Sequence, residues 1–417
     1  MSLHNGRALA ALLLGAGLAT LAPAVAAADP APPYPELLRL AKASPRLKAA
    51  QADVAQAEGL ARQASALPNP SLSVSTENFG GDGAYRGSRS AETTASLEQT
   101  IELGGKRGAR IAAGRAGVDL SRARARQAEA DFAFTLAEAY GSAEAADVRL
   151  QLANDALALA EDDARVATAL VKAGKEADLR TLQARAAVEA ARSEAGEAQA
   201  ARGAALARLT ALADAPTPFT AVPVSLLAHA DRAETVPVVD PTTTPGYLVA
   251  RAEREAVDRR VRVERTRATP DVTLSLGVRK LRADDAHALV GGVSLPFPVF
   301  DRNKGNVAAA GAELTAAEQR LAVVRLDAQA DIQSASARLQ ASFARVTSAR
   351  DGEAAAQEAY RLTRAGYEAG KLPLSEVLLA RRALTDARTR TLTARLDRLN
   401  AEAELAHLAG ATPFGES

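Results

Sequence analysis

The sequence contains an internal duplication, and this duplication constrains the fold more than any other feature. Residues 171–192 (VKAGKEADLRTLQARAAVEAAR) align with residues 367–388 (YEAGKLPLSEVLLARRALTDAR) at an offset of 196 positions. Closer to the N-terminus, PNPSLSVS (68–75) matches TPDVTLSLG (269–277) at a similar offset. We therefore expect two halves that share one structural plan and differ only by short insertions.

Each half contains two short segments in which apolar and polar residues alternate, as they do in a strand with two different faces. The predicted strands span about 71–77, 95–103, 271–279 and 289–299. Prolines lie near the ends of these segments, where a missing N–H is tolerated. The sequence thus predicts four strands in all.

Two long alanine-rich runs, 105–171 and 305–369, contain no proline. As helices they would each be about 100 Å long. Shorter helical segments are predicted at 36–67, 178–213, 246–269 and 374–408. Within each half, two of these would stack end to end along the long helix. Small residues at steps of three and four favour closely packed coiled coils. The predicted fold is mainly α with a small β part.

The chain divides at a proline-rich segment, residues 215–245, which holds six prolines and cannot be one long helix. We expect this segment to lie as a connecting belt across the helices. The predicted first structural repeat is 29–214 and the second is 246–417.

Residues 1–28 have the organisation of a secretory signal peptide. Arg7 precedes an apolar run at 8–21, and alanines at 26–28 offer a cleavage site. Cleavage would remove one of 51 cationic residues and none of the 50 acidic ones, so the mature chain is close to neutral. This balance argues against nucleic acid as a partner.

The composition also limits the chemistry. The chain has no cysteine, which excludes disulfides and thiolate metal sites. Its four histidines are isolated, and no HExxH pair is present. GYEAGKL (366–372) departs from a phosphate-binding loop in its spacing and in the residue after Lys371. We therefore expect no enzymatic activity, no cofactor and no resident metal.

Beyond the predicted signal peptide, no apolar segment reaches about 20 residues, so any passage across a membrane is expected to use strands. Four strands of this length cannot close a barrel alone. Several chains are therefore expected to contribute strands to one shared barrel.

The junction Gly104-Gly105-Lys106-Arg107 joins a predicted strand directly to a predicted long helix. Glycine tolerates the backbone angles that such an abrupt change requires. We expect Lys106 and Arg107 to lie near lipid headgroups, where cations meet anionic lipid. The alternative is that the two cations only begin a solvated helix.

Over nearly all of the predicted mature chain, the sequence resembles TolC-type outer-membrane efflux channels. The resemblance is carried by two motifs, AGKEADLRTLQARA (173–186) and YEAGKLPLSEVLLARR (367–382). IELGGKRGAR (101–110) and LPFPVFDRNKGNV (295–307) are similar to the heavy-metal branch, the CzcC-like partners of cation efflux pumps.

The resemblance implies a homotrimer in the outer membrane. Each chain would contribute four transmembrane β-strands to a shared barrel and long helices to a coiled-coil barrel in the periplasm. A periplasmic adaptor and an inner-membrane RND-type pump would complete the system. The implied substrates are heavy-metal cations such as cobalt, zinc, cadmium, copper or nickel. A drug or type I secretion channel is an alternative, and a periplasmic coiled-coil adaptor or scaffold is a more distant one.

The resemblance also assigns roles to the two turns between long and return helices. Gly174 and Lys175 in the first turn, and Gly370 and Lys371 in the second, are expected to dock the adaptor. The alternative is that both glycines serve only as ordinary helix ends.

The resemblance further implies a gate beside the second turn. Tyr367 and Glu376 match positions at the closed entrance of the family, and Arg180 is the repeat counterpart of Glu376. The family's arginine two positions after the second glycine is Leu372 here. We therefore expect a rearranged latch in which Arg180 and Tyr367 hold Glu376. The alternative is that Arg180 and Glu376 face solvent.

Overall fold

The computed structural model describes residues 29–232 and 235–414, so the predicted signal peptide lies outside the described residues. The two halves have the same order of elements. The elements are α1 (Tyr34–Ala41), α2 (Pro45–Ala64), β1 (Ser71–Glu77), β2 (Glu92–Ile101), α3 (Lys106–Lys172), α4 (Leu179–Ala213), α5 (Pro245–Arg267), β3 (Val272–Leu281), β4 (Ala286–Ser294), α6 (Lys304–Glu368) and α7 (Leu374–Leu408).

The two long helices organise the α part. Helix α3 has 67 residues and packs against α2, α4, α5 and α7. Helix α6 has 65 residues and packs against α5 and α7. Small residues allow this close approach: a Cβ added at Gly141 of α3 would lie 2.5 Å from Leu399 Cδ2 of α7. None of the helices in the described ranges is both long and apolar enough to cross a membrane.

The four strands form one antiparallel sheet in the order β1-β2-β3-β4. The register gives the sheet two different faces, because alternate residues of each strand point to opposite sides. The apolar face carries Leu72, Val74, Ala95, Leu97, Leu274, Leu276, Val278, Leu289 and Val293. The other face carries Ser71, Ser73, Ser75, Glu77, Glu92, Thr94, Ser96, Glu98, Ser275 and Arg279. Strands β1 and β4 are the two edges of this sheet.

The second hairpin differs from the expectation at its end. The alternation predicts a strand that continues to about 299, but β4 ends at Ser294. Pro296 and Pro298 cannot donate a hydrogen bond to a neighbouring strand, so the ladder stops before them.

The proline-rich segment is fastened to the helices by buried polar groups. The buried Glu144 of α3 accepts hydrogen bonds from Ser225 Oγ (2.5 Å), Leu226 N (2.8 Å) and Leu227 N (3.0 Å). Arg398 of α7 donates to the Ala230 carbonyl at 2.6 Å. These bonds hold the segment against the middle of the helical layer, beside the largest apolar core cluster.

The junction between β2 and α3 has the glycine geometry that the sequence predicts. Gly104 and Gly105 have φ of +66° and +75°. Lys106 makes an ion pair within the fold, because its Nζ lies 2.8 Å from Asp271 Oδ1 next to the start of β3. Its placement near lipid headgroups stays a prediction. Arg107 donates its Nε–H to the Ser65 carbonyl at 2.9 Å. A cation opposes the dipole at a helix N-terminus, so a carboxylate partner inside the fold stabilises it.

Gly104 is expected to tolerate substitution less well than Gly105. Alanine at either position costs about 1–2 kcal/mol, because φ is positive at both. At Gly104 the added Cβ would also lie 2.6 Å from Thr269 Oγ1, whereas nothing lies within 4 Å at Gly105. Overpacking of this kind costs a further 1–3 kcal/mol or so. Thermal unfolding of Gly104→Ala and Gly105→Ala measures the difference, and equal midpoints would contradict it.

Candidate functional site at the helical tips

Both turns at the far end of the helices have the same hydrogen-bond geometry. In each turn a glycine with positive φ follows the helix, with values of +67° at Gly174 and +71° at Gly370. The bonds are Gly174 N–H to Val171 O (2.9 Å), Lys175 N–H to Leu170 O (2.9 Å), Gly370 N–H to Tyr367 O (2.8 Å) and Lys371 N–H to Gly366 O (2.8 Å). This is the Schellman motif. Both glycines therefore have a structural role, whatever else they do.

Each of these turns presents an exposed lysine beside apolar side chains. Lys175 and Lys371 are exposed and make no ion pair among the described residues. The exposed leucines of the adjoining first turns of α4 and α7 are Leu179, Leu182 and Leu379. A Cβ added at either turn glycine would meet nothing within 4 Å. The turns thus form an open surface on which another molecule can rest.

Within one chain Arg180 forms no ion pair with Glu376, whereas Tyr367 lies close enough to Glu176 and Arg180 for both charges to influence it. Arg180 lies 3.5 Å from Glu176 and donates to Gln183 at 2.9 Å. Glu376 is exposed and takes part in no ion pair among the described residues. Tyr367 is buried in an apolar cluster. Burial raises the pKa of its hydroxyl. The expected contact of Arg180 with Glu376 is therefore absent from the single chain.

Leu372 occupies the position at which the family has an arginine, and it packs back onto α6. A Cβ added at Gly366 would lie 2.7 Å from Leu372 Cδ1. The second turn is thus closed by an apolar contact over a glycine.

A buried ion pair that the sequence did not predict joins the two halves near the tip. Asp163 of α3 lies 3.3 Å from Arg381 Nη1 of α7, and both side chains are largely buried. Burial is the largest influence on Asp163 and raises its pKa, while Arg381 and then Arg364 oppose the rise. Tyr360 of α6 packs in the same region. The pair therefore links the first helical hairpin to the second.

The two halves do not repeat this pair, so the duplication does not predict it. At the offset of 196, Asp163 corresponds to Ala359, and Arg381 corresponds to Arg185, which is exposed. One signal was present in the sequence: Asp163 lies between Ala160 and Ala167 at the spacing of the buried positions of α3. A charged residue at a helix-packing position predicts a partner on the facing helix.

The polar face of the sheet carries a second charged group, at the end of the strands away from the helices. Arg279 contacts Glu92 at 3.0 Å and Glu77 at 3.7 Å, and donates to Thr94 Oγ1 at 2.9 Å. Two carboxylates therefore share one guanidinium, and the group has an excess of negative charge.

Comparison with known proteins assigns the chain to a family. The family model described as "Outer membrane efflux protein" matches residues 37–214 and 245–411. The chain belongs to the outer membrane efflux protein family. The resemblance read from its motifs is thereby confirmed.

Two similar proteins cover most of the chain. The nickel-cobalt-cadmium resistance protein NccC of Alcaligenes xylosoxydans xylosoxydans is 41% identical over 97% of this chain and 92% of its own length. The nickel and cobalt resistance protein CnrC of Cupriavidus metallidurans is 43% identical over 77% of each chain. Both are metal-resistance proteins, which confirms the branch suggested by the junction motifs.

Solved structures support the fold. A crystal structure of CusC has a TM-score of 0.78 at 18% identity and covers 91% of this chain and 92% of its own. The outer membrane protein VceC from Vibrio cholerae has a TM-score of 0.73 at 20% identity, with 91% and 96% covered. The predicted combination of long helices and a small β part is confirmed. The protein is an outer-membrane efflux component whose helices extend into the periplasm.

The buried pair near the tip generates a prediction about pH. Removing one partner of a buried pair typically costs about 3–5 kcal/mol, so Arg381→Gln is expected to destabilise the protein at neutral pH. The folded-state pKa of Asp163 is raised. Asp163 therefore binds its proton more tightly in the folded chain than in the unfolded chain. The stability that Arg381→Gln loses relative to the wild type should shrink as the pH falls through the pKa of Asp163, because a protonated carboxyl needs no cationic partner.

Thermal unfolding between about pH 5 and about pH 8 measures this effect. The neighbouring Arg382 is exposed and outside any ion pair among the described residues, so Arg382→Gln is the matched control. The double variant Asp163→Asn with Arg381→Gln should lose the pH dependence. An equal loss of stability at both ends of the pH range in Arg381→Gln would contradict the assignment.

Proposed function

We propose that this protein is the homotrimeric outer-membrane channel of a tripartite heavy-metal efflux system. An inner-membrane RND-type pump and a periplasmic adaptor would deliver the cations to it. The observation that carries this proposal is the similarity, over 97% of the chain, to a relative named for nickel, cobalt and cadmium resistance. It acts as a passage and not as an enzyme.

Cobalt is the substrate that the relatives favour most. It is the one metal common to the names of NccC, CnrC and the cobalt-zinc-cadmium resistance protein CzcC of Cupriavidus metallidurans, which is 32% identical over 83% of this chain and 82% of its own. Nickel appears in the two relatives of higher identity, and zinc only in CzcC. We therefore place cobalt and nickel before zinc.

The polar face of the sheet supports a passage for cations. Serines, threonines and charged residues make up most of this face, and the charged group around Arg279 holds two glutamates. In a closed barrel this face would line the interior, while the apolar face would contact lipid. An interior with excess negative charge attracts cations.

The tips support docking of the adaptor. Lys175 and Lys371 are free to pair with acids of a partner, and the exposed leucines beside them offer apolar contact. The two turns have the same backbone geometry. One kind of adaptor hairpin could therefore recognise both, with the glycines exposing the backbone to it.

A strain from which the gene has been deleted tests transport and docking together. Loss of the gene is expected to lower cobalt and nickel tolerance, and the wild-type gene to restore it. Gly370→Glu should fail to restore tolerance although the protein still assembles, because a bulky acid would occupy the docking surface. Gly352 is exposed in the C-terminal part of α6 with open space around it, so Gly352→Glu controls for the added acid. Gly370→Ala controls for the strain of a side chain at positive φ. Both should restore tolerance.

Two outcomes would contradict these proposals separately. Normal cobalt tolerance in the Gly370→Glu strain, at normal protein levels, would exclude the second tip as a docking site. Unchanged cobalt and nickel tolerance in the deletion strain, with increased sensitivity to drugs or a loss of polypeptide secretion, would instead favour a drug or type I secretion channel.

We further propose that the entrance is gated near Glu376 and Tyr367. Glu376 is exposed at the first turn of α7, two residues after the buried Leu374. In a trimer three copies of this carboxylate would surround the threefold axis. Like negative charges held near one another attract cations. Arg180, held by Glu176, lies on the adjoining turn and would limit this excess of negative charge.

Planar-bilayer recordings test the gate. Glu376→Ala is expected to reduce cation selectivity and block by divalent cations, and Arg180→Ala to increase closed-state conductance. Glu197 is exposed on α4 and outside any ion pair among the described residues, so Glu197→Ala is the control for loss of a negative charge. If both gate variants behave as the wild type does, these residues do not form the gate.

A further inference from the structure

The apolar face of the sheet becomes polar at the end of the strands away from the helices. Lys280 continues the alternation that places Leu276 and Val278 on this face. Its partners in the register are Thr93 of β2 and His287 of β4, and all three side chains are exposed. Residues paired in register leave the sheet on the same side. A row of polar side chains therefore borders the apolar face at this end.

Two arginines lie beside this row, one from the loop of each hairpin. Arg282 follows Lys280 by two positions, and its backbone N–H extends the ladder by donating to the Ala91 carbonyl at 3.1 Å. Its guanidinium donates from Nη1 to Ser88 Oγ at 3.0 Å. One shallow cavity is lined by Ser88, Arg89, Ser90, Arg282 and Ala283. The two loops are thus joined, and they present two guanidinium groups on one surface.

These three cations have no acidic partner within residues 29–232 and 235–414. Lys280, Arg282 and Arg89 are all exposed, and none of them forms an ion pair there. Asp284 and Asp285 lie in the turn of the second hairpin and pair with none of the three. The positive charge of the cluster is therefore available to a ligand.

Other cations of the sheet region are paired. On the polar face at the same end of the strands, Arg279 lies 3.0 Å from Glu92. At the opposite end, next to the helices, Lys106 lies 2.8 Å from Asp271. Positive charge without a partner is thus found on the apolar side of the outer end, whereas the polar side there has an excess of carboxylates.

The location of the cluster indicates its ligand. The helices extend into the periplasm, so the two hairpin loops lie at the outer surface of the membrane. In the barrel proposed above, the apolar face contacts lipid, and the cluster lies where the acyl chains end and the headgroups begin. The outer leaflet of an outer membrane contains lipid A, a glucosamine disaccharide that carries phosphate groups. Arginine and lysine bind phosphate through charge-assisted hydrogen bonds.

We propose that Arg89, Lys280 and Arg282 form a binding site for the phosphate groups of lipid A on the lipid-facing side of the outer rim. Arg282 is oriented by Ser88 and shares its cavity with Arg89, so both guanidinium groups can donate to one phosphate. Lys280 is nearest to the apolar face, and its aliphatic stem can lie along the acyl chains. This site depends on the proposed barrel, and it adds the lipid that the outer rim selects.

Native mass spectrometry of the detergent-solubilised mature protein, titrated with lipid A, tests the site. The wild type is expected to bind phosphorylated lipid A and to bind lipid A stripped of its phosphates much more weakly. The triple variant Arg89→Gln, Lys280→Gln, Arg282→Gln should bind phosphorylated lipid A about a hundredfold more weakly, because each cation near an anionic lipid surface adds to the affinity. The charge-preserving variant Lys280→Arg with Arg282→Lys should bind nearly as the wild type does.

Lys304→Gln is the matched control. Lys304 is exposed at the helix end of the sheet and outside any ion pair in the part of the chain that the structure describes, so its loss should leave lipid A binding unchanged. Equal affinity of the triple variant and the wild type for phosphorylated lipid A would overturn the site. Displacement of lipid A by an equal concentration of inorganic phosphate would also overturn it, since the cluster would then bind anions in general.

Failure of the proposed barrel would give a different result. If the wild type binds neither form of lipid A and no phosphatidylcholine, the apolar face does not contact lipid, and the barrel itself is contradicted. If the wild type binds both forms of lipid A with equal affinity, the lipid-facing sheet stands and only the phosphate site is overturned.

Discussion

The proposed assembly depends on the pairing of backbone N–H and C=O groups inside lipid, where no water can satisfy them. One chain has four strands, and its edge strands β1 and β4 leave two rows of such groups unpaired. A sheet with one apolar and one polar face can meet this constraint by closing into a barrel with other chains. In such a barrel the long helices would continue the strands around the same axis.

The duplication gives both halves the same order of helices and strands. The contacts differ at the positions where the two sequences differ. Both tips end in the same glycine turn, yet only the second half provides Arg381 to meet the buried Asp163. Both strand-to-helix junctions turn sharply, yet one encloses Lys106 in an ion pair and the other exposes Phe300. The functional asymmetry of the chain therefore lies in the positions at which its two halves differ.

Patterns that depend on local backbone geometry could be predicted from the sequence. The turn glycines Gly174 and Gly370 and the alternating strands were of this kind, because each follows from a residue and its immediate neighbours. Contacts between distant side chains could not be predicted in this way. Arg180 had several acids within reach and pairs with Glu176, and Lys106 reaches Asp271 across the sheet. Sequence spacing does not distinguish such partners, because their choice is made by packing in three dimensions.

The central claim is that the strands of several chains close one barrel, and the family resemblance gives the number as three. Native mass spectrometry of the detergent-solubilised protein measures this number most directly, since the mass of one chain is known from its sequence. The account predicts a single species with three times the mass of the processed chain. A dimer, a tetramer or a stable membrane-inserted monomer would contradict it.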